Sequence, residues 1–323
     1  MTKKLLVICG PTSTGKTSLA IKIAKKLNGE IVSADSRQVY KIMNIGTGKD
    51  LPVNSKLIIN NSKLGGYYEA EGIKIWGYDL VDPKGEFSVA QYLKIAHRII
   101  DDISKRGAFP ILVGGTGLYI RGVIDGIDTA DVPKNNKLRK NLEGKSVNEL
   151  YEKLSQLDSL KAGSFNSSDK KNPRRLVRAI EIAQYQLTKK FVTSARHTIG
   201  NNFDVLRIGL TAPKEFIDRR IVKRVIDRLD KGIKTEVENL LKSGVTWENQ
   251  AMMAMGYGLW RDYFEGDVTE DQILAEWARD EVRYAKRQMV WFKKDRRITW
   301  FDITDPEFLI NVESLVKKWY NQA

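Results

Sequence analysis

Short apolar runs alternate with segments of helical apolar spacing along most of this chain. Runs of strand length occupy residues 5–9, 30–34 and 109–113, with further candidates at 205–210 and 298–303. Helical spacing is found at 18–27, 88–105, 214–243 and 270–294, and the third of these segments is predicted as one long amphipathic helix. Strands that alternate with helices favour an α/β fold, in which a parallel sheet carries helices on both faces.

Two stretches depart from this alternation. Residues 44–86 are predicted to be rich in loops, whereas residues 125–200 are helical, highly charged and without strand-like runs. We interpret the second stretch as a helical insertion, with a helix over residues 173–187. The predicted domains are a core at 1–124, the insertion at 125–200, and a segment at 201–323 that completes the core and adds C-terminal helices.

A glycine-rich turn joins the first predicted strand to the first predicted helix. It matches G-x-x-x-x-G-K-[S/T] and comprises Gly10, Pro11, Thr12, Ser13, Thr14, Gly15, Lys16 and Thr17. Glycines let the backbone curl, so that several N–H groups and the N-terminus of the helix converge on phosphate oxygens. Lys16 is then expected to reach a terminal phosphate, and the Thr17 hydroxyl to hold Mg²⁺. Because strand and helix flank the turn, the motif predicts a diphosphate or triphosphate site rather than a chance glycine-rich turn.

Composition narrows the class of partner. The formal net charge is +14, from 54 lysines and arginines against 40 acidic residues, which favours a polyanionic partner beyond one small nucleotide. The single cysteine, Cys9, excludes disulfides and zinc clusters and suits a reducing cytosol. The histidines His97 and His197 are isolated, and no apolar run is long enough for a signal peptide or a membrane span. A soluble cytoplasmic protein without membrane association is expected.

Polar residues follow the second and third predicted strands. Asp35 could bind Mg²⁺ through water, accept a proton from a nucleophile, or cap a following helix. The Gln38 amide suits hydrogen bonding to a base edge. The segment Gly114-Gly115-Thr116-Gly117 has almost no side-chain bulk, which indicates either a close approach to its backbone or a plain tight turn. Ligands bind at the carboxyl ends of parallel strands, so these groups and the glycine-rich turn are expected to share one cleft.

Two basic stretches lie further along the chain. The first contains Lys170, Lys171, Arg174, Arg175 and Arg178, and the second covers residues 283–297. In the second, Arg283 and Arg287 stand one helical turn apart, where two guanidinium groups can straddle a phosphate. A solvated helix face is the alternative for both stretches.

The motifs in their order resemble the tRNA dimethylallyltransferase family. The resemblance is carried by GPTSTGKTSLA at 10–20, ADSRQVY at 34–40, IGTGK at 45–49, VDP at 81–83, FSVA at 87–90, VGGTGLY at 113–119, NPRRLVRAIE at 172–181, MGY at 255–257 and AKRQMVWF at 285–292. They cover nearly the whole chain. The sequence departs from the family pattern at Glu281-Val282, which stand in place of Thr-Arg, and at Gly258, which stands in place of a basic residue. Asp50 stands in place of a proline, and residues 51–78 are longer than the corresponding loop of the family.

The resemblance implies a P-loop NTPase-like fold, and transfer of a dimethylallyl group from dimethylallyl diphosphate to N6 of the adenosine immediately 3′ of a tRNA anticodon (position 37). It assigns Asp35 as the base, and the Gly10–Thr17 loop with Arg287 to the diphosphate. The residues that it places on tRNA are Asp35, Ser36, Arg37, Gln38, Thr116, Arg174, Arg175, Arg178, Gly256, Tyr257, Lys286, Arg287 and Gln288. It further implies Mg²⁺ as cofactor and a monomeric enzyme.

Three other functions stay open from the sequence. A small-molecule or nucleoside kinase could use Asp35 toward an acceptor hydroxyl, and would differ by its turnover of ATP. A prenyltransferase for free adenine nucleotides would not need the insertion or the basic stretches. An RNA-binding protein with an inactive phosphate loop is the third, and the intact Lys16, Thr17 and Asp35 argue against it.

Overall fold

The computed structural model describes residues 3–49, 51–52, 54–59, 64–188, 198–199 and 202–322. Within them a single eight-stranded sheet is found, in the order β3-β4-β5-β2-β6-β1-β7-β8. The strands are β1 (Lys3–Cys9), β2 (Gly29–Ser33), β3 (Lys56–Ile58), β4 (Tyr67–Ala70), β5 (Ile73–Trp76), β6 (Phe109–Val113), β7 (Phe203–Thr211) and β8 (Thr299–Asp302).

Thirteen α-helices accompany these strands in the described residues. They are α1 (Lys16–Leu27), α2 (Val89–Lys105), α3 (Gly117–Asp125), α4 (Asn136–Leu142), α5 (Val147–Leu157), α6 (Ser159–Gly163), α7 (Ser167–Lys170), α8 (Pro173–Thr188), α9 (Lys214–Asp230), α10 (Ile233–Lys242), α11 (Trp260–Glu265), α12 (Glu270–Phe292) and α13 (Phe308–Tyr320). None of the described helices is both long enough and apolar enough to span a bilayer.

The parallel centre of the sheet confirms the predicted α/β fold. Strands β2, β6, β1, β7 and β8 pair in parallel, and β2 and β6 are buried along their whole length. Their side chains form one core with the apolar face of α1 and with Val312 and Val316 of α13. All parallel strands end at the same edge, so the turns after β1, β2 and β6 lie side by side.

The prediction of a loop-rich segment at 44–86 was wrong for the described part between residues 56 and 76, which contains three strands. Strands β3, β4 and β5 extend the sheet there, with β3–β4 and β4–β5 antiparallel and β5 parallel to β2. Strands β4 and β5 are joined by the two-residue turn Glu71-Gly72, in which both φ angles are positive. Such short strands carry little periodicity, yet a turn of this type between alternating segments is a hairpin signal.

The predicted single helix over 214–243 is two helices. Helix α9 ends at Asp230 and α10 begins at Ile233. Between them Gly232 has a φ of 89°, a left-handed conformation that glycine adopts without the steric cost of a Cβ. The glycine therefore terminates α9, although the apolar spacing continues past it.

The chain forms two compact units, one of Met1–Asp125 with Thr198–Ala323 and one of Gly126–His197. Within the second, helices α4–α8 pack around Leu138, Leu150, Leu154 and Ile180. Of the earlier predictions, residues 189–197 and 200, including His197, lie outside the described residues.

A buried carboxylate organises the second unit. Glu181 on α8 accepts hydrogen bonds from Nε and Nη2 of Arg139, each at 2.7 Å. It also accepts from the Asn135 backbone N–H at 3.0 Å and from Nη1 of Arg178 at 3.2 Å. Burial alone would raise the pKa of Glu181, but the hydrogen bonds from Arg139 and Asn135 outweigh it and hold the pKa below its ordinary value. The ionised form therefore stabilises the fold.

We expect Glu181→Gln to lower the free energy of unfolding by about 2 kcal/mol at pH 7, because two arginines lose their counter-charge. Since the pKa of Glu181 is depressed in the folded state, its contribution is present above the unfolded pKa and is lost as pH falls through the folded one. Urea unfolding at pH 7 and below pH 4 should show the difference shrinking. Glu152→Gln, at an exposed position of α5 in the same unit, is the matched control. Equal stability of both variants would contradict the role of Glu181.

Candidate functional site

A cavity of about 920 Å³ opens at the carboxyl ends of β1, β2 and β6. Its lining comes entirely from the unit of Met1–Asp125 and Thr198–Ala323. The contributors are the Gly10–Thr17 loop, the segment after Asp35, the 44–49 loop, the Gly114-Gly115 turn, and one face each of α9 and α12. The shared cleft expected from the sequence is present.

The Gly10–Thr17 loop has the curled backbone that its motif predicts. Gly10 has a φ of 133°, and a Cβ there would lie 2.4 Å from the carbonyl oxygen of Leu210, so only glycine fits against β7. The Thr14 hydroxyl donates to the carbonyl of Pro11 at 2.9 Å, and Gly15 enters α1 with a φ of 79°. These contacts place the loop immediately before the N-terminus of α1, where an anion is favoured.

Lys16 and Thr17 lie at the start of α1 and line the cleft. The Lys16 ammonium donates to the Pro11 carbonyl at 2.6 Å. Burial and the positive charge of Arg224 lower the pKa of Lys16 to about 8, while the negative charge of Asp35 acts in the opposite direction. The protonated form of Lys16 is therefore disfavoured in these surroundings, and a bound anion would stabilise it.

Asp35 lines the same cleft and is half-buried at the end of β2. One of its oxygens, Oδ1, accepts the backbone N–H groups of Arg37 at 2.8 Å and Gln38 at 3.4 Å. The residues that follow form turns rather than a helix, so the alternative of a helix cap was wrong. Oδ1 fixes the turn, and the same geometry fixes the carboxylate at the cleft.

Gln38 and Thr116 join neighbouring segments of the cleft. The Gln38 amide donates to the carbonyl of Gly48 at 2.7 Å and accepts from the Ser33 hydroxyl at 3.2 Å. The Thr116 hydroxyl accepts the Ser36 N–H at 3.0 Å and is hydrogen-bonded to the Tyr284 hydroxyl. The predicted polar residues after β2 and β6 are thus brought together.

Helix α12 contributes an aromatic and a cationic surface. Tyr284 lines the cleft, and burial raises the pKa of its hydroxyl above the ordinary value. The Arg287 guanidinium also lines the cleft and lies 5.7 Å from the centroid of the Tyr284 ring. Lys286 and Arg283 point elsewhere on the helix, since both are exposed and neither lines the cleft. Only part of the second basic stretch therefore faces the site.

Gln288 connects three elements that are distant in sequence. Its Oε1 accepts the Thr12 backbone N–H at 2.9 Å, and its Nε2 donates to the Gly115 carbonyl at 2.9 Å. The side chain is only 5 % exposed. The resemblance placed Gln288 on tRNA, whereas in the structure its amide is engaged by the phosphate loop and by the turn after β6.

Replacing Gln288 by leucine should weaken the binding of Mg-pyrophosphate about tenfold, because the Thr12 N–H and the Gly115 carbonyl lose their partner and the phosphate loop is displaced. Calorimetric titration with Mg-pyrophosphate measures the change. Gln186→Leu, at an exposed position of α8, is the control. Unchanged pyrophosphate affinity in Gln288→Leu would contradict the assignment.

The cationic wall on α9 was missed by sequence reasoning. Arg220, Arg224 and Arg228 recur every four residues, and with Lys223 they line the cleft. The Arg224 guanidinium donates to the Thr12 hydroxyl, which brings α9 directly onto the phosphate loop. The spacing of these arginines was visible as one face of an amphipathic helix, but nothing local distinguishes a solvated face from a cleft wall.

The cleft is strongly positive. Among the described residues, eight cationic side chains line it against the three acids Asp35, Asp227 and Glu281. The cations are Lys16, Arg37, Lys49, Arg220, Lys223, Arg224, Arg228 and Arg287. No group of three or more His, Cys, Asp or Glu side chains that could hold a metal is found in the described part of the chain. The arrangement suits a polyphosphate bound beside one carboxylate.

Gly256 and Tyr257 do not line the cleft but lie close to one of its loops. Tyr257 is fully buried, and its hydroxyl donates to Glu236 at 2.5 Å. Glu236 in turn accepts backbone N–H groups of Asn44 and Ile45. Gly256, with a φ of 85°, packs against the ring of Trp277. The structure thus places Tyr257 as an anchor of the 44–49 loop, while the nearby Met253 and Met255 line the cleft.

The three arginines of the first basic stretch lie on α8 in the helical unit. Arg174 and Arg175 are exposed, and Arg175 forms an ion pair with Asp169. Arg178 donates to the carbonyls of Thr129 and Val132 at 3.0 and 2.8 Å in addition to its pair with Glu181. Arg178 is therefore engaged in the fold of that unit, and Arg174 and Arg175 present charge on its surface.

The chain is similar to known proteins along most of its length. A family model described as IPP transferase matches residues 38–295, and one described as isopentenyl transferase matches residues 3–60. The tRNA dimethylallyltransferases of Anoxybacillus flavithermus and Carboxydothermus hydrogenoformans are both 40 % identical to it, over 94 % of this chain and 92 % and 93 % of theirs. The crystal structure of a tRNA isopentenylpyrophosphate transferase from Bacillus halodurans superposes with a TM-score of 0.68 at 32 % identity, covering 98 % of this chain and 96 % of that one. The kinase alternative is not favoured by these similarities, and the chain belongs to the tRNA dimethylallyltransferase family.

Proposed function

We propose that this cleft transfers a dimethylallyl group from dimethylallyl diphosphate to N6 of the adenosine at position 37, immediately 3′ of a tRNA anticodon. The observation that carries the proposal is the placement of Asp35 in one cleft with an intact Gly10–Thr17 loop, in a chain of this family. A diphosphate seat beside a single carboxylate is what displacement of a diphosphate by a weakly nucleophilic amine requires.

The leaving group is bound by the loop. The C–O bond between the allyl carbon and the diphosphate breaks with its electron pair going to the diphosphate oxygen. We assign stabilisation of that negative charge to Lys16, the loop N–H groups and Arg224, because Lys16 and Arg224 line the same cleft and Arg224 contacts Thr12 of the loop.

Asp35 receives the proton. A new bond forms between N6 and the allyl carbon, and the N6 proton passes to the Asp35 carboxylate. Oδ1 is engaged by the turn, and we assign proton acceptance to Oδ2. The role suits a carboxylate fixed at the end of a buried strand, because proton transfer needs a base at hydrogen-bonding distance from N6.

We assign recognition of the RNA to polar, aromatic and cationic side chains. A target adenine in an anticodon loop must be turned out of its stack to enter a cleft. Gln38 and the Tyr284 ring line the cleft and offer hydrogen bonds and a stacking surface for it, while Thr116 holds Ser36 and Tyr284 beside it. Arg287 and the exposed Arg174 and Arg175 offer contacts to phosphates. The net charge of +14 fits such phosphate contacts.

Mg²⁺ fits the donor groups of the cleft. It prefers oxygen ligands and commonly binds through one or two protein groups together with substrate phosphates. The Thr17 hydroxyl lines the cleft and is a donor of that kind, so it would hold the ion together with oxygens of the diphosphate. When bound with the diphosphate there, the ion would neutralise charge on the leaving group.

Transfer of radiolabelled dimethylallyl diphosphate to unmodified tRNA, with Mg²⁺ and without ATP, tests the proposal. Label in the tRNA supports it, and digestion to nucleosides should place the label on N6-substituted adenosine. ATP hydrolysis or nucleoside phosphorylation without prenyl transfer would replace the proposal with a kinase. Salt-sensitive tRNA binding without either activity would identify an RNA-binding protein, and transfer to free AMP alone would exclude tRNA as the substrate.

A further inference from the structure

A buried ion pair lies in the wall of the cleft between α9 and α12. Arg228 is 2 % exposed, and its Nη1 donates to Oε1 of Glu281 at 3.0 Å. The guanidinium also lies 5.5 Å from the ring centroid of Trp277, whose indole N–H donates to the same Glu281 oxygen at 3.4 Å. Both members of the pair line the cleft. Arg228 is thus held in one orientation by an acid and an aromatic ring.

The guanidinium of Arg228 converges with that of Arg224. A Cβ at residue 48 would lie 1.9 Å from Nη2 of Arg228 and 2.1 Å from Nη2 of Arg224, so the two nitrogens are within about 4 Å of each other. Both groups therefore fill the space that the absent side chain of Gly48 leaves beside the 44–49 loop. Arg224 simultaneously donates to Thr12 in the phosphate loop.

Two guanidinium groups this close repel each other unless negative charge lies nearby. Glu281 supplies one negative charge and accepts a hydrogen bond from Nη1 of Arg228. The side of the pair that faces Arg224 lies next to the phosphate loop. A diphosphate carries more than one negative charge and is the anion that the loop motif predicts, so it suits a site formed by both arginines.

The negative charge of Glu281 disfavours an anion in the cleft, and Arg228 offsets this effect. A carboxylate in the wall of a diphosphate site repels the ligand. Here the acid forms an ion pair with Arg228 on the opposing helix. The pair therefore behaves as a unit in which Glu281 fixes the orientation of Arg228 at a modest loss of positive potential.

We propose that Arg228, oriented by Glu281 and Trp277, is a further diphosphate-binding residue that acts together with Arg224. The inference rests on the proposed function for the identity of the ligand, but its chemistry is that of a diphosphate group. A purely structural ion pair is the competing explanation, and the two differ in what loss of each partner does to anion binding.

The test is calorimetric titration of the full chain with Mg-pyrophosphate, alongside the KM for dimethylallyl diphosphate. Arg228→Met should raise the dissociation constant about tenfold and raise KM more than it lowers kcat. Arg219→Met, an exposed arginine on the same helix, removes the same charge and should bind pyrophosphate normally. Glu281→Gln should bind pyrophosphate at least as tightly as the unmodified chain, because its amide oxygen can still accept from Nη1 of Arg228 and keep the orientation, while the repelling charge is gone.

If the ion pair is purely structural, Arg228→Met and Glu281→Gln should weaken pyrophosphate binding by the same factor, and that result would overturn the inference. Unchanged pyrophosphate binding in Arg228→Met would also overturn it. If Arg228→Met does not fold, Arg228→Lys decides. Lysine keeps the charge but not the forked geometry, so a several-fold weaker binding supports the inference and unchanged binding overturns it. Failure of the unmodified chain to transfer a prenyl group would overturn the proposed function, while a pyrophosphate defect in Arg228→Met would still stand.

Discussion

Replacement of Asp35 by asparagine is expected to lower kcat for prenyl transfer by about 10³-fold, with tRNA binding close to that of the unmodified chain. The amide oxygen of asparagine can still accept the N–H groups of Arg37 and Gln38 that Oδ1 accepts now. The turn is therefore retained, and what is lost is the ability to take a proton from N6. General-base catalysis accounts for an effect of this size.

The measurement is single-turnover transfer with saturating substrates, accompanied by filter binding of tRNA. Asp302→Asn is a matched control, because Asp302 also ends a strand of the sheet and accepts the N–H of the residue two positions on, at 2.8 Å. It does not line the cleft and should leave transfer unchanged. Retention of more than a tenth of the activity in Asp35→Asn would argue against a base at this position. Lost tRNA binding with an intact fold would assign Asp35 to recognition instead.

Local sequence was sufficient to predict the half of the site that lies at the ends of strands. The phosphate loop and Asp35 each follow a short buried strand, and parallel strands bring their carboxyl ends to one edge whatever the connecting chain does. The curvature of the loop is encoded at Gly10 and Gly15, whose positive φ angles few other residues would adopt. These features depend on neighbours in sequence, so the pattern contains them.

The other half of the site depends on contacts between distant segments. Gln288 contacts Thr12 across 276 positions, and Arg224 contacts the same residue across 212. Periodicity shows that α9 has an apolar and a charged face, but it does not show what the charged face meets. The same limit explains why the buried position of Tyr257 was not predicted. A motif residue that anchors a loop from the core has the same sequence pattern as one that touches the substrate.

The Gly232 break and the β4–β5 hairpin show a different limit. In both places the signal was a glycine of positive φ set within an otherwise continuous pattern. Apolar spacing persists from α9 into α10, so periodicity alone joins them. For the hairpin, strands of four residues are too short for an alternation to stand out. Turn chemistry, weighed against periodicity, would have corrected both predictions.

Replacement of Lys16 by methionine is expected to lower kcat/KM for dimethylallyl diphosphate by about 10²-fold and to weaken Mg-pyrophosphate binding by a similar factor. The side chain lies at the N-terminus of α1 with its ammonium on the Pro11 carbonyl, and methionine keeps the length while removing the charge. The loss reflects a charge-assisted contact to the leaving group in a cleft where burial and Arg224 already disfavour the cation.

Lys22→Met provides the control for this change. Lys22 lies on the same helix, is exposed, and does not line the cleft, so the same loss of charge there should leave both measurements unaltered. Pyrophosphate calorimetry and initial-rate kinetics separate the ground-state contact from the effect on bond breaking. An unchanged pyrophosphate affinity in Lys16→Met would mean that the Gly10–Thr17 loop does not hold the diphosphate. An affinity loss without a change in kcat would mean that Lys16 binds substrate and transition state equally, and that the remaining cations of the cleft stabilise the departing charge.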